Sequence, residues 1–184
     1  MLRFVTTNPG KVREAREYLP REVEQFAYDY AEIQSDDLAE IAARGAREAA
    51  DAAEEPVFVE DSGLFVEALG GFPGPYSSYV YDTLGIERVA DLALAEDDRR
   101  ARFRSVVGYC DGGDVETFEG AVVGRIVEPR GTGGFGYDPI FEHDGRTFAE
   151  MSTEEKNAVS HRGRALATFA DWLADEPAGN VGAR

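Results

Sequence analysis

The sequence has 184 residues, 43% of them hydrophobic, and a formal net charge of −17. This length and apolar content suit one globular domain and exclude a disordered chain, while the charge argues against non-specific binding to nucleic acid. One cysteine excludes an intrachain disulfide, and no apolar stretch approaches the ~20 residues of a membrane-spanning helix. The sequence therefore predicts a soluble, cytoplasmic protein with no membrane or nucleic-acid partner.

Arginine greatly outnumbers lysine among the basic residues. Only Lys11 and Lys156 are lysines, and the other 17 of the 19 basic residues are arginines. An acid-rich, lysine-poor composition indicates a halophilic protein, because high salt screens such charge. Since Lys and Arg differ in shape and hydration, we expect the two lysines to meet positional requirements.

The first predicted strand, Leu2–Thr7, leads into a predicted helix over Val12–Leu19. Asn8 is a favoured N-cap, and Pro9 suits the first helical position. Such a helix start offers backbone N–H groups to phosphate, and Lys11 adds a positive charge there. The Walker A pattern is absent, so an ordinary strand-to-helix turn is the alternative interpretation.

A carboxylate pair follows the third predicted strand. After a loose strand over Val23–Tyr30 and an alanine-rich helix over Leu38–Ala53, the apolar run Val57–Val59 predicts a short buried strand. We expect that strand to stop at Glu60 and Asp61. Carboxylates beyond the carboxyl end of a strand can hold Mg²⁺ or polarise water, whereas the alternative is that Asp61 only turns the chain.

A hairpin and a glycine-rich segment occupy the second half of the chain. Ala101–Cys110 and Val115–Glu128 predict two long strands joined by a tight turn, after a helix over Arg88–Ala95. Residues 131–136 match Gly-x-Gly-x-x-Gly, but no helix is predicted after them, so we reject a dinucleotide site. We expect Phe135 to stack on a flat ligand; a flexible loop is the alternative.

Two short helices are predicted near the end of the chain. The Ser-Thr-Glu-Glu run that begins at Ser152 is a capping box, so a helix carrying Lys156 begins there. Lys156 and His161 are five residues apart, about 140° around one helix, and cannot share a face unless the helix breaks. Ser160 could cap a second helix over His161–Leu173.

Four motifs in order resemble the inosine/xanthosine triphosphate pyrophosphatase family, over about residues 2 to 173. They are Thr6-Thr7-Asn8-Pro9-Gly10-Lys11; Val59-Glu60-Asp61-Ser62-Gly63-Leu64 with Ala68-Leu69-Gly70-Gly71-Phe72-Pro73-Gly74; Gly134-Phe135-Gly136-Tyr137-Asp138-Pro139; and Glu155-Lys156-Asn157 leading to Ser160-His161-Arg162. One departure is Ser77-Ser78-Tyr79-Val80, where many members have Ser-Ala-Arg-Tyr.

The resemblance implies Mg²⁺-dependent hydrolysis of deaminated purine nucleoside triphosphates (ITP, dITP, XTP) to the monophosphate and pyrophosphate. It also implies an α/β fold, an elongated mixed sheet with flanking helices and two lobes around a nucleotide-binding cleft, and a homodimer. We expect a single domain over residues 1–174 and a frayed tail over residues 175–184.

The resemblance also implies residue roles. Asp61 would be the general base and a metal ligand, with Glu32 as the second metal carboxylate and Glu40 as the alternative. The substrate-binding residues would be Thr6, Thr7, Asn8, Pro9, Gly10 and Lys11 at the triphosphate, Ser62, then Phe135, Gly136, Tyr137 and Asp138 at the base and sugar, and Lys156, His161 and Arg162.

Other functions remain as alternatives. A pyrophosphatase of the related Maf type would act on modified pyrimidine triphosphates, and a nucleotide sensor would bind without hydrolysis. An acidic scaffold protein would not account for four ordered motifs.

Overall fold

The computed structural model describes residues 1–31 and 33–175, and these form a mixed α/β fold of eight strands and six helices. The strands are β1 Leu2–Val5, β2 Val23–Phe26, β3 Val57–Val66, β4 Pro73–Gly74, β5 Arg100–Cys110, β6 Val115–Ile126, β7 Phe141–His143 and β8 Arg146–Thr147. The helices are α1 Pro9–Tyr18, α2 Leu38–Ala53, α3 Ser77–Leu84, α4 Ile86–Leu94, α5 Thr153–Val159 and α6 His161–Asp175. The predicted fold class is confirmed.

The sheet is mixed, with strand order β2-β1-β3-β5-β6-β7-β8 and β4 paired to β3. β1 pairs in parallel with β2 and β3, as expected for strands joined by helical crossovers. β4, β7 and β8 join by antiparallel pairing.

The chain divides into two compact units, each with its own core. The first comprises Met1–Asp61, Val106–Gly120 and the chain from Gly163 onward. Its core contains Phe4 and Phe58, whose rings stack at 4.3 Å. The second unit comprises Ser62–Ser105 and Ala121–Arg162, and its core gathers Phe103, Phe141 and Phe148 with the apolar faces of α3 and α4.

The start of α1 follows the predicted capping scheme. The side-chain oxygen of Asn8 accepts hydrogen bonds from the backbone N–H groups of Gly10, at 2.8 Å, and Lys11, at 3.4 Å. Pro9 occupies the first helical position, where it sacrifices no intrahelical hydrogen bond. Val12 and Ala15 bury the apolar face of the helix.

The prediction that the third strand stops at Glu60 and Asp61 is wrong, because β3 continues to Val66. Leu64 and Phe65 pair with Gly74 and Pro73 of β4, so the ladder is extended by a later segment of the chain.

Some of the other predicted ends of helices and strands are correct and others are not. α2 has the predicted limits, whereas the second strand ends at Phe26 instead of Tyr30. The expected break between the last two helices is confirmed, since Ser160 lies between α5 and α6 in an extended conformation. α6 includes Asp175, and the rest of the predicted tail, residues 176–184, lies outside the described residues.

Over residues 1–31 and 33–175, no helix is both long and apolar enough to cross a membrane.

Candidate active site

The start of α1 has the geometry of an anion-binding helix terminus. Thr7, Asn8 and Pro9 are exposed, and the Thr6 hydroxyl accepts a hydrogen bond from the Asn8 N–H at 3.1 Å. These contacts fix the turn that leads into the helix. Because the positive end of the helix dipole lies at this turn, it suits a phosphate group.

Lys11 is held by a carboxylate that sequence reasoning did not include among the site residues. Its ammonium lies 2.8 Å from Oε2 of Glu60, whose side chain is fully buried, at 0% exposure. A buried carboxylate is costly without a cationic partner, so this pair fixes the position of both groups. The sequence could have indicated a separate role for Glu60, because Glu60 and Asp61 are neighbours in a strand and their side chains point to opposite faces of the sheet.

Asp61 is half-buried in β3, and its Oδ2 lies 3.4 Å from the hydroxyl of Tyr30. The Tyr30 ring packs on Gly45 of α2, where a Cβ atom would lie 2.5 Å from the ring. Gly45 therefore leaves room for the ring that places the hydroxyl near Asp61. A lone tyrosine in a loop gives no functional signal in the sequence, and Tyr30 was missed.

The described residues offer a hard cation one suitable carboxylate, that of Asp61, and not a complete set of ligands. Asp61 offers carboxylate oxygens, and Mg²⁺ is often held by one or two carboxylates together with substrate phosphates. Glu60 is engaged by Lys11, and Glu32 lies outside the described residues. Glu40 is exposed and accepts a hydrogen bond from the Ser35 hydroxyl at 2.7 Å. Within the described part of the chain, no three His, Cys, Asp or Glu side chains form a group that could hold a metal.

In the second unit, the glycine-rich loop presents an aromatic ring with cations near it. Phe135 is 62% exposed, and its ring centre lies 4.3 Å from the ammonium of Lys156 and 6.0 Å from the guanidinium carbon of Arg162. Such cation–π contacts contribute about 0.5–2 kcal/mol each. We call these three residues the Phe135 platform.

Asp138 contacts two of the three residues of this platform. Its buried Oδ2 accepts a hydrogen bond from the Phe135 N–H at 2.8 Å and lies 2.6 Å from the Lys156 ammonium. Gly134 passes close by with φ +70°, and a Cβ atom there would lie 2.1 Å from Asp138 Oδ2. Only glycine fits this position, so the loop conformation, and not a dinucleotide site, accounts for the motif.

Tyr137 is buried, unlike Phe135 in the same loop. Only 5% of its surface is exposed, and its hydroxyl donates a hydrogen bond of 2.8 Å to the backbone carbonyl of Ser77. Burial raises the pKa of Tyr137 to about 12, with smaller contributions from Asp82 and Tyr81. The hydroxyl therefore remains a neutral donor that points into the protein.

The break at Ser160 brings the basic residues of α5 and α6 to one ring. On a continuous helix, Lys156 and Arg162 would lie about 120° apart. With the break, both approach Phe135, while His161 is buried and stacks on Phe103 at 4.8 Å between ring centres.

The predicted site residues form two groups. One comprises Thr6, Thr7, Asn8, Pro9, Gly10, Lys11 and Asp61, and the other Ser62, Phe135, Gly136, Tyr137, Asp138, Lys156, His161 and Arg162.

Curated relatives match nearly the whole chain. The dITP/XTP pyrophosphatase of Thermococcus kodakarensis is 56% identical over 178 residues, covering 94% of this chain and 96% of that protein. The dITP/XTP pyrophosphatase of Methanopyrus kandleri is 55% identical over 183 residues, covering 96% and 97%.

Solved structures agree with the fold. The Ham1 protein of Staphylococcus aureus superposes with a TM-score of 0.87 at 31% identity, covering 96% of this chain and 99% of that one. The HAM1 protein of Coxiella burnetii also gives 0.87, at 33% identity, covering 95% and 98%. The model of the Ham1 family matches residues 2–172, and the chain therefore belongs to the Ham1 family.

Proposed function

We propose that this chain hydrolyses the triphosphates of deaminated purine nucleosides, ITP, dITP and XTP, to the monophosphate and pyrophosphate. The exposed Phe135 ring with Lys156 and Arg162 near it is the observation on which we base this proposal. An aromatic face suits a purine ring, and cations beside it suit an electron-rich base edge. Relatives that are 50–56% identical are named dITP/XTP pyrophosphatases, which supports this substrate class.

Asp61 would act as the general base. It would accept a proton from water as the water oxygen attacks the α-phosphorus, and the bond from that phosphorus to the bridging oxygen would break, releasing pyrophosphate. The half-buried position of Asp61 and the nearby Tyr30 hydroxyl support this role, because they would hold the carboxylate in one orientation.

The start of α1 would bind the triphosphate through the positive end of its helix dipole and the ammonium of Lys11, since the N–H groups of Gly10 and Lys11 donate to Asn8. These local donors would have to overcome the repulsion of a chain with a net charge of −17. Asp61, with Glu32 as the proposed second carboxylate, would hold Mg²⁺ together with substrate phosphates. When bound, the cation would neutralise charge that develops on the phosphate oxygens.

Base selection would depend on hydrogen bonds to the 6-keto oxygen. A donor fixed at that oxygen rejects adenine, because the 6-amino group would place a donor against a donor. Arg162 and His161, both 7% exposed and fixed at the start of α6, are the candidate donors. Ser62 and the backbone of Gly136 would contact the substrate as well.

We further propose a homodimer formed through the face around α3. Tyr79 is 71% exposed, and Tyr76, Tyr81 and Leu84 are also exposed there. Because two copies of so acidic a chain repel each other, a self-interface is best placed on a surface of low charge. Light scattering should give a dimer mass for the wild type and a monomer mass for Tyr79→Glu.

A cytoplasmic, salt-adapted protein is also part of the proposal. A single buried cysteine suits a reducing compartment, and the excess of 36 acidic over 19 basic residues suits high ionic strength.

Pyrophosphate release with Mg²⁺ across a nucleotide panel tests the function. We expect turnover of ITP, dITP and XTP, and far slower turnover of ATP, dTTP and UTP. Preference for dTTP or UTP would favour a Maf-type activity, and binding without release would favour a sensor. Asp61→Asn should still bind ITP but lose most turnover, and near-normal turnover in that variant would exclude Asp61 as the base.

A further inference from the structure

A hydrogen-bonded link joins the glycine-rich loop to the second half of β3, after Asp61. The Tyr137 hydroxyl donates to the Ser77 carbonyl at 2.8 Å. The Ser77 hydroxyl donates to the carbonyl of Gly74 at 2.7 Å and accepts from the backbone N–H of Leu64 at 2.8 Å. Every bond in this link is buried, so each broken bond would leave a polar group without water.

The link holds β3 where its backbone contacts that of β4, at Gly63 and Gly74. A Cβ atom on Gly63 would lie 2.2 Å from the Gly74 carbonyl, so the two backbones touch there without an intervening side chain. Ser77 holds that same carbonyl and the N–H of the residue after Gly63. It therefore sets the position of the strand just beyond Ser62.

The other end of the link is the glycine-rich loop that carries Phe135. Tyr137 lies between Gly136 and Asp138, and Asp138 holds both the Phe135 N–H and the Lys156 ammonium. Phe135 itself is 62% exposed, so its ring is not fixed by packing around it. The loop must obtain its position from its buried members, which include Tyr137 and Asp138.

We propose that Ser77 and Tyr137 are positioning residues that hold the Phe135 platform at a fixed place for the purine base. This inference rests on the proposed function of that platform. Neither side chain would touch the substrate; both would act by keeping Phe135, Lys156 and Arg162 in the arrangement that distinguishes one base from another. The role differs from that of a fold-stabilising bond, because its loss should change binding and selectivity in molecules that remain folded.

The test uses two variants and two matched controls. Tyr137→Phe removes the hydroxyl and keeps the ring, and Ser77→Ala removes the hydroxyl that bridges Leu64 and Gly74. Ser78→Ala alters the neighbouring, exposed serine, and Tyr81→Phe alters the tyrosine whose ring meets the edge of Tyr137 at 5.8 Å. KM and kcat are measured for ITP and ATP, with thermal unfolding of each variant.

We expect Tyr137→Phe and Ser77→Ala to raise KM for ITP about tenfold, the effect of losing roughly one buried hydrogen bond. The ratio of kcat/KM for ITP over ATP should fall in both variants, and both controls should match the wild type. KM does not depend on the fraction of folded enzyme, so a variant that is merely less stable would lose kcat and retain the wild-type KM.

Wild-type KM and selectivity in both variants, with lower thermal stability alone, would overturn the inference. A wild type that releases no pyrophosphate from ITP would instead contradict the proposed function. In that event, the Kd of ITP in EDTA, measured on the same four variants, still tests the link. A weaker Kd for Tyr137→Phe and Ser77→Ala only would support it, and equal values would refute it.

Discussion

The ammonium of Lys11 lies 2.8 Å from the carboxylate of Glu60, one residue before Asp61 in β3. The two acids are adjacent in sequence but have different surroundings, since the Glu60 side chain is fully buried and Asp61 is half-buried. Glu60 thus serves as the counter-ion of Lys11, whereas Asp61 lies near the hydroxyl of Tyr30. The pair also ties the start of α1 to the strand that carries Asp61.

Removing Lys11 should destabilise the protein through the charge it leaves behind. We expect Lys11→Met to lower the free energy of unfolding by about 3 kcal/mol, the low end for breaking a buried pair, because Lys11 is partly exposed. Urea denaturation measures this, with Arg13→Met, an exposed position on the same helix, as the control. Adding Glu60→Gln to Lys11→Met should restore part of the loss. If the double variant were less stable still, the pair would not be the cause.

The hydroxyl of Tyr30 should matter to turnover more than to binding. Tyr30→Phe keeps the ring against Gly45 and removes the hydroxyl that contacts Asp61, so we expect kcat to fall several-fold with KM for ITP unchanged. Gly45→Ala should give the same signature, because the added Cβ would lie 2.5 Å from the Tyr30 ring and displace it. Steady-state kinetics on ITP provide the measurement.

Tyr28→Phe is the matched control, since that tyrosine lies in the same loop and its ring stacks on Phe26. An equal fall in kcat for Tyr28→Phe would attribute the effect to the loop as a whole. Unchanged kcat in both Tyr30→Phe and Gly45→Ala would remove Tyr30 from the site.

Local rules explain what the sequence predicted correctly. The Asn8 cap, the capping box at Ser152 and the break at Ser160 depend on residues within four positions, so pattern alone locates them. The end of β3 could not be found in this way, because its last residues pair with Gly74, ten positions after Leu64. Tertiary pairing overrode the local glycine signal.

The missed site residues have the same cause. Tyr30 reaches Asp61 across 31 positions, and Ser77 accepts its hydrogen bond from Tyr137, a predicted site residue, across 60. No periodicity or local pattern encodes contacts between residues so far apart in the sequence. Phe135, Asp138 and Lys156 were predicted because they lie in dense motifs, and the contacts of Asp138 with the other two show how it acts.

The capping box that begins α5 should make part of the stability depend on pH. Glu155 accepts a hydrogen bond from the Ser152 N–H and pairs with Arg146, and these contacts, in that order, lower its pKa from 4.5. A carboxyl whose folded pKa is lowered stabilises the protein above its unfolded pKa, and the contribution is lost as pH falls through the folded value. We therefore expect Glu155→Gln to lower Tm at pH 7, with the difference from wild type shrinking below pH 4.5.

Thermal scans at several pH values, with Glu154→Gln as the control, measure this effect. Glu154 is exposed, carries the same charge and precedes Glu155 in α5. A Tm difference for Glu155→Gln that stays constant from neutral to acid pH would show that the carboxylate is not the stabilising form. Because α5 carries Lys156, the same variant should also raise KM for ITP modestly at neutral pH.

The excess of 36 acidic over 19 basic residues should make stability depend on salt. Self-repulsion opposes the compact state, and the Debye length falls from about 30 Å at 0.01 M salt to about 10 Å at 0.1 M, so screening should raise Tm steeply over this range. Repeating the titration with KCl and KNO₃ separates screening from specific ion effects, because screening depends on ionic strength alone. Equal rises in the two salts would support a halophilic protein, and a Tm that is the same at 0.01 M and 1 M salt would contradict it.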